Sequence, residues 1–128
     1  MTTTRSTQRP RRDRGDTSLE IALYTPLLLL AVLAVIQAAV WGLADLAARH
    51  AADHAVQTAR VAGATATDGE TAATALLADI NPRGLTNVEV TVTRGTVTTT
   101  AEVSGHALQL IPGITMPVNA RVTAPTEP

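Results

Sequence analysis

Glu20 stands at the lip of a long charge-free run, and His50 and His54 are the one pair of imidazoles at a ligand-like spacing. A carboxylate at the edge of an apolar helix is costly unless it is hydrated or paired. Two histidines at i,i+4 share a helical face, with Asp53 beside the second. A metal would want a third protein ligand, and "HAADH" lacks the glutamate of a zincin helix. A solvated face is the preferred reading of the pair, and His106, beside Gly105, reads as a loop or edge residue.

The rest of the chain offers little for catalysis. The carboxylates after the apolar run are scattered through Thr/Ala sequence with no paired-acid pattern. Ser104 is the sole serine there and stands in no G-x-S-x-G elbow. Neither a P-loop nor a dinucleotide fingerprint occurs. With no cysteine, thiolate chemistry and disulfides are excluded. The expectation is a protein that is not an enzyme, with no catalytic residue, cofactor or metal.

The elements that carry these residues begin with the apolar run. Residues 21–44 hold no charged side chain, which exceeds the roughly 20 residues a helix needs to cross a bilayer core. Ahead of it lie Arg5, Arg9, Arg11, Arg12 and Arg14; beyond it, acids outnumber bases. The positive-inside rule then places the N-terminus in the cytoplasm and the C-terminal part outside. Topology explains the arginines without nucleic acid as a partner. A cleaved signal peptide has a shorter apolar region. A twin-arginine signal at Arg11-Arg12 would not be followed at once by Asp13 and Arg14, and the "RGD" at 14–16 is a short chance match.

The basic leader ending in Gly15, with Glu20 as the fifth residue after it and a hydrophobic helix following, resembles the processing site of type IV-like prepilins. More narrowly, the chain resembles the TadE-like family of tight-adherence (Flp) pilus assembly proteins, which are small pseudopilins. The resemblance rests on "RGDTSLE" at 14–20, the helix containing Pro26, "RHAADHAVQTARVAG" at 49–63 and the Thr/Val-rich tail. It implies cutting by a prepilin peptidase between Gly15 and Asp16, with the helix kept on the mature protein. It also implies that Glu20 guides docking, with the new α-amine of Asp16 as one partner for its charge. Partners would be the peptidase, other pilins or pseudopilins, the assembly platform and the lipid bilayer. Ile21 stands where the major pilin has tyrosine, which favours a minor or assembly-type subunit. An unprocessed single-pass protein, an anchored binding or envelope structural module, is the alternative.

The expected fold class is α+β: a long N-terminal transmembrane helix extended outside the membrane, then a short helix and a small three-stranded antiparallel sheet. Expected boundaries are a leader over 1–15, the helical segment over 16–62 and a head over 63–128. Thr17 or Ser18 can cap the first helix, which runs from about Leu19 to Ala62 on strong helix formers. Small residues recur every four positions: Ala34, Ala38 and Gly42, then Ala51, Ala55 and Ala59. Such stripes permit close helix packing in lipid, although an alanine-rich chain also produces them by composition. Thr67 or Asp68 is expected to cap a second helix with an apolar face of Ala72, Ala73, Leu76, Leu77 and Ile80.

After "NPRG" the apolar period changes to two. Val88, Val90 and Val92 form one strand face; Val97, Thr99, Ala101 and Val103 the next; Val118, Ala120, Val122 and Ala124 the third, with Arg94-Gly95 at the hairpin turn. Leu108, Leu110, Ile111, Ile114 and Met116 form the bulkiest aliphatic cluster outside the run. They either wrap the sheet edge as core cover, the favoured role, or form a contact patch.

Overall fold

The computed structural model describes residues 13–128. Most of the basic leader therefore lies outside the described residues. Helix α1 covers Asp13–Ala59 and runs through Pro26 without a break. Thr17 and Ser18 fall inside it, so neither is its cap. The helix ends three residues short of the expected Ala62: Arg60 N–H still reaches the Val56 carbonyl at 2.9 Å, and Gly63 then turns the chain at φ +82°. Glycine takes that left-handed conformation without the Cβ penalty of other residues.

By its internal contacts the chain divides into two units, residues 1–33 and 34–128, so the division falls within α1. In the first unit the helix carries exposed leucines, and the Thr25 hydroxyl donates back to the Ile21 carbonyl at 2.7 Å. That bond keeps a polar side chain satisfied on an apolar helix.

The second unit is the α+β head, and it includes the rest of α1. Helix α2 spans Ala66–Ile80 and is capped by Thr65, two residues before Thr67, the first of the expected caps. The Asp68 backbone N–H donates to Thr65 Oγ1 at 3.2 Å, and Thr65 N–H donates to Asp68 Oδ2 at 2.7 Å. This reciprocal pair is a capping box with Asp in place of the usual Glu or Gln. Of the expected apolar face, Ala73 and Leu77 are buried along with Gly69, while Ile80 remains half exposed.

Three strands follow, β1 (Leu85–Arg94), β2 (Thr98–Ala107) and β3 (Pro117–Pro125), in an antiparallel sheet of order β1-β2-β3. Thr99, Ala101, Val103, Val118 and Ala120 face the core as period two requires, with Val122 partly covered. Two expected face residues do not. Val97 lies in the β1–β2 turn and is 74% exposed. Val88 is 42% exposed and stands at a bulge, where Asn87 and Val88 lie opposite Gly105 alone and Asn87 has φ +51°. The extra residue shifts the alternation, so that the buried face passes from Val92 and the partly covered Val90 to the odd-numbered Leu85. Glu70 of α2 accepts the Val92 N–H at 3.0 Å, which occupies a donor on the edge strand β1.

The core is aliphatic and small. Ala44, Ala48, Ala51, Ala52, Ala55, Val56 and Ala59 of α1 are fully buried with Ala73, Ala101 and Val103. A Cβ built on Gly69 would come within 2.6 Å of the Ala55 carbonyl oxygen and 2.9 Å of Ala59 Cβ. Contact with a backbone atom cannot be relieved by a rotamer change, so α2 would have to move. Gly69→Ala gains about 1 kcal/mol of helix propensity but forces overpacking of about 1–3 kcal/mol. A net loss of stability is expected, read by denaturant unfolding of the detergent-solubilised chain.

The capping box yields a pH signature. The two Thr65 bonds, the backbone one first, hold the Asp68 carboxyl below its ordinary value of 3.8. Its contribution is complete above that ordinary value and drains away as pH falls through the depressed one. Thr65→Ala should cost about 0.5–2 kcal/mol at neutral pH. The gap between wild type and variant should narrow in acid without closing, because only the Thr65 hydroxyl bond to the carboxylate is both lost in the variant and dependent on its charge; unfolding midpoints across pH measure it.

Candidate membrane and docking surface

Along α1 the stretch Gly15–Ala59 is long and apolar enough to cross a membrane. Leu19, Ile21, Leu23, Tyr24, Leu27 and Leu28 are each more than half exposed, an arrangement that suits hydrocarbon and not water. Glu20 lies between the first two and is itself exposed. Among the described residues no side chain forms an ion pair with it. Asp16 is four residues earlier, one helical turn back, so its backbone nitrogen lies on the same face. Gly15 and Asp16 both belong to the helix, and a Cβ at Gly15 would meet no neighbour.

The small-residue stripe has two different environments. Ala34, Ala38 and Gly42 are exposed and open to a neighbour. Ala51, Ala55 and Ala59 are fully buried in the chain's own core, so the close packing they permit is with the sheet and α2 of the same molecule. Their spacing is the same, but Gly42 and Ala51 are about two and a half turns apart, so the two sets lie on different faces of α1.

Gln37 is the residue that sequence reasoning passed over. It is the sole amide in the apolar run and only 3% exposed. Its Nε2 donates to the Leu108 carbonyl at 3.0 Å, and its Oε1 accepts from the Leu110 N–H at 2.7 Å and the Ile111 N–H at 3.3 Å. One side chain thus satisfies three backbone groups of the β2–β3 loop. One turn further on, Trp41 Nε1 donates to the Pro117 carbonyl at 3.2 Å. An amide inside a charge-free run was the available signal, since it needs a partner wherever water is absent.

With its backbone bound to α1, the loop turns its side chains outward. Leu108, Leu110 and Ile114 are each more than a third exposed, and Met116 alone of the cluster packs against the core. The favoured role as core cover therefore fails for these three. Short loop segments fixed by backbone bonds cannot also aim every side chain inward.

Arg94 is a second residue whose role the sequence concealed. Its Nη1 donates to the Ala59 carbonyl and, at 2.8 Å, to that of Val61, while Nη2 reaches the Glu127 carbonyl at 3.3 Å. The last turn of α1 has no basic residue of its own, so β1 supplies the cation that suits a helix C-terminus.

His50 and His54 are exposed. His50 lines a groove with Arg49, Asp53, Asn119 and Arg121, in which Arg49 pairs with Asp45 at 2.8 Å. Among the described residues, no three His, Asp or Glu side chains converge in a way that would hold a metal ion. His106 sits in β2, opposite Thr86 of β1, and its buried Nδ1 has no hydrogen-bond partner.

The Gln37 bonds are open to test. Gln37→Leu removes both a donor and an acceptor, leaving loop groups unpaired at about 1–3 kcal/mol where they stay out of water. The expected result is a lower unfolding midpoint together with faster hydrogen exchange at the Leu110 and Ile111 amides, and unchanged exchange in β1.

No family model, curated protein or solved structure matches this chain.

Proposed function

We propose that the chain is a minor pilin or pseudopilin-like component of a tight-adherence, type IV-like pilus machine. A prepilin peptidase cuts it between Gly15 and Asp16, and the exposed part of α1 then anchors it in the membrane and brings it to other pilins or pseudopilins and the assembly platform. The N-terminus is cytoplasmic and the head lies on the other side of the membrane. What carries the reading is Glu20. It is a single acid set among uncovered leucines, in the "RGDTSLE" context that resembles the prepilin site.

The physical role of that acid follows from solvation. A carboxylate drawn into the hydrocarbon is heavily penalised, by about 2.5–3.5 kcal/mol at mid-membrane on insertion scales. A nearby ammonium offsets much of that penalty. Cutting after Gly15 creates such a group on Asp16, one turn from Glu20 or on the equivalent residue of a neighbouring subunit. Processing and docking are then linked: before cutting, Glu20 lacks the amine; afterwards, the pair can be transferred into a packed helix array.

One observation favours the alternative of an unprocessed single-pass binding or envelope structural protein. The Gly15–Asp16 bond lies within helix α1, where its backbone groups are turned along the helix axis, and a peptidase must unwind that turn to reach it. The mature N-terminus decides between the two. Asp16 as first residue in cells with the peptidase, and a full-length chain in cells without it, supports the pilus reading. A full-length chain in both supports the alternative. Glu20→Ala should leave membrane insertion intact and reduce recruitment to the pilus fraction severalfold; undiminished recruitment would remove Glu20 from docking.

A further inference from the structure

We infer that the β2–β3 loop, residues 108–116, inserts into the lipid bilayer beside α1 and forms a second membrane contact of the head. The inference rests on the reading of α1 as a membrane anchor and adds a partner, the acyl-chain region of the bilayer, for a part of the head.

A count of residues leads to it. A spanning helix needs about 20 residues in the hydrocarbon. Counted from Ile21, the first residue after Glu20, that stretch passes Gln37 and reaches Val40. Gln37 therefore falls within the depth that must be apolar, and the loop backbone bound to it falls there as well.

Irregular backbone is tolerated at that depth only where its polar groups are satisfied by protein. The three Gln37 bonds meet this condition for the Leu108 carbonyl and for the Leu110 and Ile111 N–H groups, and the Leu108 N–H reaches the Gly84 carbonyl at 3.0 Å. Gln109, the loop's one amide, folds its Nε2 back to the Ile111 carbonyl at 3.1 Å, so it too has an internal partner.

The side chains agree with the backbone. From Ala107 to Val118 no residue is charged. Leu108, Leu110 and Ile114 are exposed, and so are Val35 and Ile36 of α1, the residues next to Gln37. The apolar surface of the helix thus continues onto the loop. Trp41, 39% exposed and donating its indole N–H to Pro117, has the amphipathic character that settles at headgroup level. The first charges beyond it, Asp45 and Arg49, are paired with one another. A second copy of the chain could cover the same surface, but the depth set by the residue count applies to the single chain whether or not a copy is present.

The absence of cysteine permits single-site labelling of the full chain. Leu28→Cys, Ile114→Cys and Val97→Cys variants, each carrying an NBD fluorophore, are reconstituted into phosphatidylcholine–phosphatidylglycerol vesicles with and without acyl-chain nitroxide lipids. Val97 lies in the β1–β2 turn and serves as the head control. The expected result is quenching at Ile114 of the same order as at Leu28, with none at Val97. Quenching at Leu28 but not at Ile114 overturns the loop insertion while leaving the anchor standing. No quenching at either position overturns both. Protection of Ile114 from aqueous dithionite without lipid quenching, lost on diluting the protein in lipid, assigns the surface to a second copy and likewise overturns the inference.

Discussion

The closeness with which α1 approaches its own sheet and α2 governs the rest of the molecule. Seven residues of the helix between Ala44 and Ala59 are completely covered, and six of them are alanine. A side chain of one methyl lets backbones come near, and Gly69 brings α2 nearer still, to where even one added carbon would strike the Ala55 carbonyl. Such a core gains little per residue, since each buried carbon contributes about 0.8 kcal/mol. It contains no aromatic ring, and its largest fully buried side chains are Val56, Val103 and Thr99. Close contact over many small groups replaces bulk.

A core of that kind leaves much to polar anchoring, and the polar anchors sit at its two ends. At one end Gln37 and Trp41 hold the β2–β3 loop and the start of β3. At the other, Arg94 holds the final carbonyls of α1 and the Glu127 carbonyl, and Glu127 N–H returns to the Arg60 carbonyl at 2.9 Å. These bonds join segments far apart in sequence, and they fix where the sheet lies along the helix. Thr99, fully buried, is satisfied in the same region by the Thr126 hydroxyl at 2.7 Å. Thr126 and Glu127 thus close this end of the head.

Helix α1 also meets two kinds of surroundings with one secondary structure. Its leucine-rich stretch leaves large side chains uncovered, while its alanine-rich stretch is covered by the head. An α-helix satisfies its backbone internally, so it can pass from one to the other without a break. Gln37 lies near the change of composition. As an amide it can serve the loop backbone on one side while the helix ladder on the other remains whole.

Composition and periodicity were enough to indicate the long apolar helix, the short second helix and the three-stranded sheet. These follow from local rules: a charge-free run, alanine's helix propensity, and valine alternating with threonine. The faces of β2 and β3 were legible for the same reason. Residues whose roles depend on distant partners were not. Gln37 reads as one polar interruption until the loop reaches it, and Arg94 reads as a turn residue until the end of α1 lies beside it. The two alanine sets share a spacing but neither a face nor an environment, because the step of nine residues from Gly42 to Ala51 is about two and a half turns and period does not record what covers a face. The loop leucines were misplaced because a set of backbone bonds overrode the local pattern, and the bulge beside Val88 brought Leu85 onto the buried face, which the alternation had not included. Local pattern is set by the covalent chain, whereas the pairing of buried polar groups is settled only when segments seventy residues apart come into contact.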